Sequence, residues 1–145
     1  MSLFTKKKKT IFIIEDNEMF AKTITQYIEN NFENEFLILW YKIGEIALAQ
    51  IHLKPDFAIV DYHLNSDKQD ALNGLEIAMK MNEKSPNTQY IFLSSQTNIE
   101  VAIKIQTLEN FTYLIKNKNA FEDLKQLLYQ NSSSSNSLLS ALLMA

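Results

Sequence analysis

The chain has 145 residues, no cysteine and a formal net charge of −3, which fits one compact domain without disulfides or thiolate metal sites. This charge gives no general attraction to nucleic acid or acidic lipid, and no apolar run approaches the ~20 residues that span a bilayer. We therefore expect a soluble cytoplasmic protein with no membrane span and no direct nucleic-acid binding. With only two glycines, the glycine-rich loops that cradle phosphates are excluded.

Short β-branched apolar runs alternate with apolar residues at helical spacing, which predicts strands alternating with helices. Asn17 is a suitable cap for the first helix, because its side chain can accept from a free amide of the first turn. In chain order the predicted elements are strand Ile11–Ile14, helix Met19–Ile28, strand Phe36–Tyr41, helix Ile46–Ile51, strand Phe57–Val60, helix Leu72–Met81, strand Tyr90–Leu93, helix Ile99–Leu108, strand Phe111–Ile115 and helix Ala120–Tyr129.

Five strand–helix alternations predict an α/β fold, a parallel sheet with helices on both faces. Right-handed crossovers leave few arrangements. We favour a doubly wound five-stranded parallel sheet of order 2-1-3-4-5, whose ligand site lies at the carboxyl ends of the strands. The domain is expected over residues 10–130, after a basic arm at 1–9 and before a serine-rich linker or tail at 131–145.

Chemically useful side chains stand at the predicted carboxyl ends of four strands. These residues are Glu15, Asp16, Asp61, Ser94 and Lys116. Three neighbouring carboxylates repel one another unless a cation lies among them, and their hard oxygen atoms suit Mg²⁺. Lys116 and Ser94 suit a phosphoryl group, and aspartate is a known nucleophile that forms acyl phosphates. The pattern predicts Mg²⁺-dependent phosphoryl chemistry at this edge of the sheet.

Five motifs in this order resemble the receiver domain of two-component response regulators, the CheY-like family. The resemblance covers roughly Thr10 to Gln130 and implies a flavodoxin-like fold. The motifs are Ile13-Ile14-Glu15-Asp16-Asn17, Ile59-Val60-Asp61-Tyr62-His63-Leu64, Asn73-Gly74-Leu75-Glu76, Ile91-Phe92-Leu93-Ser94-Ser95 and Tyr113-Leu114-Ile115-Lys116.

The resemblance implies that Asp61 takes a phosphoryl group from a histidine kinase or histidine phosphotransfer protein. Asp16 and Asp61 would hold Mg²⁺ directly, with the backbone carbonyl of His63 as a third ligand, and Glu15 would act through a bound water. The chain would catalyse only its own phosphorylation and dephosphorylation, and would not otherwise be an enzyme.

The resemblance also implies a switch. Lys116 would pair with a phosphoryl oxygen, Ser94 would move to hydrogen-bond the phosphate, and Tyr113 would rotate inward behind it. The face made by the fourth helix, fifth strand and fifth helix would then change its preference for a downstream protein target. Homodimer formation is left open.

Some residues depart from the family pattern. Asn117 stands where the family usually has a proline after a cis bond. We expect a trans bond or a locally altered loop here, because cis before asparagine costs ~3–4 kcal/mol. The loop from Leu64 to Leu72 is longer than usual and acidic, and could shield the site or contact a partner. His52 is expected at the surface, and the side chain of His63 could affect how water reaches an acyl phosphate.

Two alternative functions are compatible with these departures. The first is a degenerate receiver that binds proteins without phosphate, which Asn117 and the long loop would fit. The second is an aspartyl-phosphate hydrolase on a similar sheet. Such enzymes usually carry a second aspartate two residues after the nucleophile, whereas His63 stands there, so the hydrolase is the weaker alternative.

Overall fold

The computed structural model describes residues 7–64, 72–95 and 99–132. The predicted acidic loop, most of the basic arm and the serine-rich tail therefore lie outside the described residues. The elements are strand β1 Lys9–Ile14, helix α1 Glu18–Asn31, β2 Phe36–Tyr41, α2 Gly44–Ala49, a 3₁₀ turn Ile51–Leu53, β3 Phe57–Asp61, α3 Gly74–Lys84, β4 Gln89–Ser94, α4 Ile99–Gln106, β5 Phe111–Ile115 and α5 Ala120–Ser132.

The five strands form one parallel sheet in the order β2-β1-β3-β4-β5, which confirms the predicted fold. Apolar side chains on the two faces of the sheet form separate cores. One core receives α1 and α5 through residues such as Ile24 and Leu124. The other receives α2, α3 and α4 through residues such as Ala47, Ile77 and Ile105. The central strands are covered on both sides, which is why they are almost continuously apolar.

Local capping decides where the helices begin. The side chain of Asn17 accepts a hydrogen bond from the amide of Phe20, as predicted. The predicted start of α3 at Leu72 was wrong, because Asn73 and Glu76 form a reciprocal capping box and the helix begins at Gly74. The short helix that was predicted to include Ile46 and Ile51 and to stop before Pro55 also differs. Helix α2 ends at Ala49, and a 3₁₀ turn follows.

The carboxyl ends of β1, β3, β4 and β5 lie along one edge of the sheet, because these strands are neighbours and parallel. No helix in the described part of the chain is long and apolar enough to cross a membrane. His52 is exposed, as predicted.

Candidate functional site

Asp61 ends β3, a strand whose five residues are all buried, and its side chain is only 9% exposed. Its Oδ1 atom accepts a hydrogen bond of 3.1 Å from the amide of His63. The first residue of α3 lies against the end of β3, since a Cβ on Gly74 would lie 2.1 Å from the carbonyl oxygen of Asp61. Only glycine permits this approach, so Gly74 fixes the backbone that carries Asp61.

Glu15 and Asp16 follow the last residue of β1 and complete an acidic cluster with Asp61. One carboxylate oxygen from each residue lies within 4.8 Å of the others. Glu15 is 3% exposed, whereas Asp16 is at the surface. The indole Nε1 of Trp40 donates a 2.8 Å hydrogen bond to the carbonyl oxygen of Glu15, which ties the end of β1 to β2.

Lys116 brings a positive charge to this cluster from the end of β5. Its Nζ atom lies 3.6 Å from Oε1 of Glu15 and 3.7 Å from Oδ1 of Asp61. The same atom lies 4.2 Å from the ring centroid of Phe20, a favourable cation–π position. The backbone of Lys116 is held by a hydrogen bond from its amide to the carbonyl of Ser94. Lys116 is therefore placed by contacts with three other elements.

The peptide bond between Lys116 and Asn117 is trans, since the described residues contain no cis peptide bond. The expected trans bond before Asn117 is thus confirmed. The side chain of Asn117 accepts a 2.9 Å hydrogen bond from the amide of Asn119, which closes a local turn before α5. Such a turn is a usual role of asparagine.

The acidic cluster fits a hard divalent cation. The Oε2 atom of Glu15 is buried without a hydrogen-bond partner among the described residues, and such an atom is costly unless a proton or cation satisfies it. Burial, the hydrogen bond and charge of Asp61, and the charge of Asp16 together raise the pKa of Glu15 from 4.5 to about 8, against the opposing effect of Lys116. Carboxylate oxygen atoms of this number and spacing are suitable ligands for Mg²⁺.

Ser94 ends β4 and is fully buried. Its hydroxyl lies 3.1 Å from Nε2 of His63. His63 therefore contacts the site twice, through its amide to Asp61 and through its imidazole to Ser94. The proposed ligand role of its carbonyl stays a prediction.

Tyr113 lies inside the protein in this structure, with 7% of its surface exposed. Its ring centroid is 6.0 Å from that of Tyr62, which in turn is 5.1 Å from the imidazole of His63. The predicted inward rotation of Tyr113 stays a prediction, but the inward position it requires is the one seen here.

The sequence-predicted residues Glu15, Asp16, Asp61 and Lys116 thus meet at one sheet edge, and Ser94 joins them through His63. Sequence reasoning assigned no role to four contributors. Gly74 stood in a recognised motif, and the rarity of glycine in this chain was a usable signal. Tyr62 also stood in a recognised motif. Its role, like those of Trp40 and Phe20, depends on contacts between elements, for which the local sequence carries no signal.

The family model for the response regulator receiver domain matches residues 11–129. The chain is a member of this family. No curated protein matches at a significant level. Among solved structures, a CheY-like receiver domain protein from Methanospirillum hungatei JF-1 is similar, with a TM-score of 0.72, 18% identity, and coverage of 90% of this chain and 98% of that one.

Two further structures show the same receiver fold. The signal receiver domain of a DNA-binding response regulator from Colwellia psychrerythraea 34H has a TM-score of 0.69 and 24% identity, over 84% of this chain and 99% of that one. A response regulator protein from Burkholderia pseudomallei was solved with a phosphorylated aspartic acid, a calcium ion and citrate. It has a TM-score of 0.62 and 22% identity, over 86% of this chain and 75% of that one.

Proposed function

We propose that this receiver domain accepts a phosphoryl group on Asp61 from a phosphohistidine of a histidine kinase or histidine phosphotransfer protein. The proposal rests on the acidic cluster, in which one carboxylate oxygen each of Glu15, Asp16 and Asp61 lies within 4.8 Å of the others. The ammonium of Lys116 lies 3.7 Å from Asp61. A related response regulator from Burkholderia pseudomallei carries a phosphorylated aspartic acid and a calcium ion. The cytoplasmic location stays a prediction.

In the transfer, one carboxylate oxygen of Asp61 forms a bond to phosphorus as the phosphorus–nitrogen bond of the donor imidazole breaks. The bonding electrons return to the imidazole nitrogen, and the phosphoryl group becomes an acyl phosphate. Lys116 would neutralise charge on a phosphoryl oxygen, as ammonium groups do in phosphoryl transfer. When held by Asp16, Asp61 and the His63 carbonyl, with Glu15 acting through water, Mg²⁺ would supply the remaining charge neutralisation.

After transfer, Ser94 would leave the imidazole of His63 and hydrogen-bond the phosphate. This movement can affect the surface through packed aromatic rings, since His63 contacts Tyr62 and Tyr62 contacts Tyr113. Phosphate can shift the equilibrium between the two positions of Ser94 only by binding one of them better than the other. The hydrogen bond from the Ser94 hydroxyl supplies that difference in affinity.

The proposed output surface is a groove of about 350 Å³ between α4, β5 and α5. Ile99 and Ile103 border it and are 68% and 60% exposed, respectively. Tyr113 also lines it, so the residue that ends the aromatic path borders this surface. Exposed apolar side chains beside a groove are typical of protein-binding sites, and we assign this face to a downstream protein target.

Intact mass after incubation with Mg²⁺ and acetyl phosphate tests the proposal. We expect one added phosphate, lost in Asp61→Asn and kept in Asp56→Asn, because Asp56 lies at the opposite end of β3. An adduct that persists in Asp61→Asn would contradict the assignment. No adduct in the wild type, with or without beryllofluoride binding, would favour the degenerate receiver. Rapid turnover of many phosphate esters would favour the hydrolase.

A further inference from the structure

The edge strand β2 carries an unusual sequence for an open edge. All six of its residues, Phe36–Tyr41, are apolar or aromatic, whereas natural edges are commonly protected by charges, proline or bulges. Leu37 is 50% exposed and Trp40 is 38% exposed. Among the described residues, no strand pairs with the outer side of β2.

The hydrogen-bonding pattern identifies the groups that this edge offers. The amides of Lys9 and Glu15 donate to the carbonyls of Glu35 and Tyr41, so the odd-numbered residues of β2 bond to β1. In a parallel ladder the intervening residues face the other way. The amide and carbonyl groups of Phe36, Ile38 and Trp40 therefore point to the open side.

A groove of about 400 Å³ runs between this edge and α1. Lys22 lines it beside Trp40, and Glu29 lines both this groove and the adjoining cavity beside Phe36. Lys22 thus supplies a positive charge near Trp40, and Glu29 supplies a negative charge near Phe36. Glu18 pairs with Lys22 at 3.2 Å and Lys8 borders the other end, so neither end is a patch of one sign.

We infer that β2 pairs with β2 of a second copy of this chain, antiparallel about a two-fold axis at Ile38. The two five-stranded sheets would then form one continuous sheet. This register places Ile38 opposite Ile38 and Phe36 opposite Trp40 of the other copy. It uses all three outward-facing residues, because in an antiparallel pair the residues that exchange both hydrogen bonds lie directly opposite each other. An axis at Leu39 would leave Phe36 unpaired.

The charges on α1 favour a second copy over an unrelated partner. An antiparallel arrangement brings the Trp40 end of one copy to the Phe36 end of the other. Lys22 of each copy then approaches Glu29 of the other, giving two symmetric ion pairs. Such self-complementarity is what a two-fold interface requires. The surface is also held in place, because the Trp40 indole is fixed by its hydrogen bond to Glu15.

Charge reversal tests the arrangement without changing the apolar edge. Sedimentation should show a dimer for the full chain. Lys22→Glu and Glu29→Lys should each weaken dimerisation, by about tenfold if both ion pairs become repulsive, while the double variant Lys22→Glu/Glu29→Lys should restore it. A monomer at all concentrations, or a double variant no better than the single ones, would overturn the inference. Unchanged circular dichroism establishes that each variant is folded.

The lack of native cysteines permits a second, independent test of register. Opposed residues that exchange hydrogen bonds have Cα atoms ~5.5 Å apart, which suits a disulfide. Ile38→Cys should therefore form an intermolecular disulfide under mild oxidation, and Leu37→Cys, displaced from the axis, should not. Equal cross-linking of both variants, or preferential cross-linking of Leu37→Cys, would contradict the proposed axis.

Discussion

The imidazole Nε2 of His63 lies 3.1 Å from the hydroxyl of Ser94, within hydrogen-bonding distance. His63 stands two residues after the proposed phosphoacceptor, and Ser94 is the hydroxyl that we propose to bind the phosphate. The contact therefore stabilises the arrangement without phosphate and must break when Ser94 moves. Its strength contributes directly to the equilibrium between the two arrangements.

Replacing His63 with leucine should favour the phosphate-bound arrangement. A hydrogen bond of this kind contributes about 1 kcal/mol, so its loss should tighten beryllofluoride binding about fivefold. Binding can be followed through the fluorescence of Trp40, the single tryptophan, which is bonded to Glu15. His63→Gln keeps a hydrogen-bonding side chain and should resemble the wild type. Equal affinities for the two variants would show that the contact has no role in the switch.

The bulk of the imidazole supports a separate expectation. His63→Ala opens the space beside Asp61, whereas His63→Leu keeps it filled, so the acyl phosphate should hydrolyse faster in the alanine variant. The decay of the phosphorylated mass with time gives both rates. If neither variant changes the rate of dephosphorylation, His63 does not control access of water.

Removing the Lys116 charge should separate metal binding from phosphorylation. In Lys116→Met, loss of the ammonium near Asp61 should lower the phosphorylation rate by about a hundredfold, as for other groups that stabilise developing charge. Mg²⁺ affinity should be kept or increased, because a nearby cation is gone. The exposed neighbour Lys118 provides the control variant Lys118→Met, which should leave both unchanged. A parallel loss of Mg²⁺ binding would mean that Lys116 acts by maintaining the fold.

Gly74 should be far less replaceable than the other glycine. In Gly74→Ala the new Cβ meets the Asp61 carbonyl oxygen at 2.1 Å, a backbone atom that cannot move alone. We expect a loss of about 3 kcal/mol in the free energy of unfolding. In Gly44→Ala the nearest atom is Cδ2 of Leu64 at 2.7 Å, on a side chain that can shift, so the loss should be smaller. Denaturant titrations of both variants measure the difference, and equal losses would argue against the close approach.

The pKa of Glu15 predicts how the stability of the metal-free protein depends on pH. Burial, together with the hydrogen bond and charge of Asp61, raises this pKa from 4.5 to about 8, so the folded protein keeps the proton over a range in which the unfolded chain releases it. This difference in proton binding stabilises the folded protein fully below pH 4.5, and the stabilisation is lost as pH rises towards about 8. The free energy of unfolding should therefore fall across this interval.

The side chain of glutamine in Glu15→Gln has no such proton to release. Denaturant titrations in the presence of a chelator should therefore show that the free energy of unfolding of this variant depends much less on pH. Glu18→Gln, which alters only an exposed ion pair, should keep the wild-type slope. An unchanged slope in Glu15→Gln would assign the pH dependence to other groups.

Much of the fold and the site could be predicted from the sequence because a parallel sheet gathers its strand ends. Once the runs ending at Asp16, Asp61, Ser94 and Lys116 are identified as parallel strands, their proximity follows from topology. Confirmed features include the strand order and the cap at Asn17. The spacing of Asn73 and Glu76 could also have corrected the start of α3, since it matches a capping box.

The remaining features depend on packing between distant segments. The Trp40 hydrogen bond joins residues 25 positions apart, and the position of Lys116 over Phe20 joins the end of β5 to α1. Such contacts depend on rotamers that hydrophobic periodicity does not determine.

The central claim is that Asp61 forms the acyl phosphate, and chemical trapping tests it most directly. Borohydride reduces an aspartyl phosphate to homoserine, and peptide mapping then identifies the reduced residue. After incubation with Mg²⁺ and acetyl phosphate, we predict homoserine at position 61, abolished by chelator and absent when acetyl phosphate is omitted. Homoserine at position 16 or at any other aspartate, with residue 61 unchanged, would contradict the account.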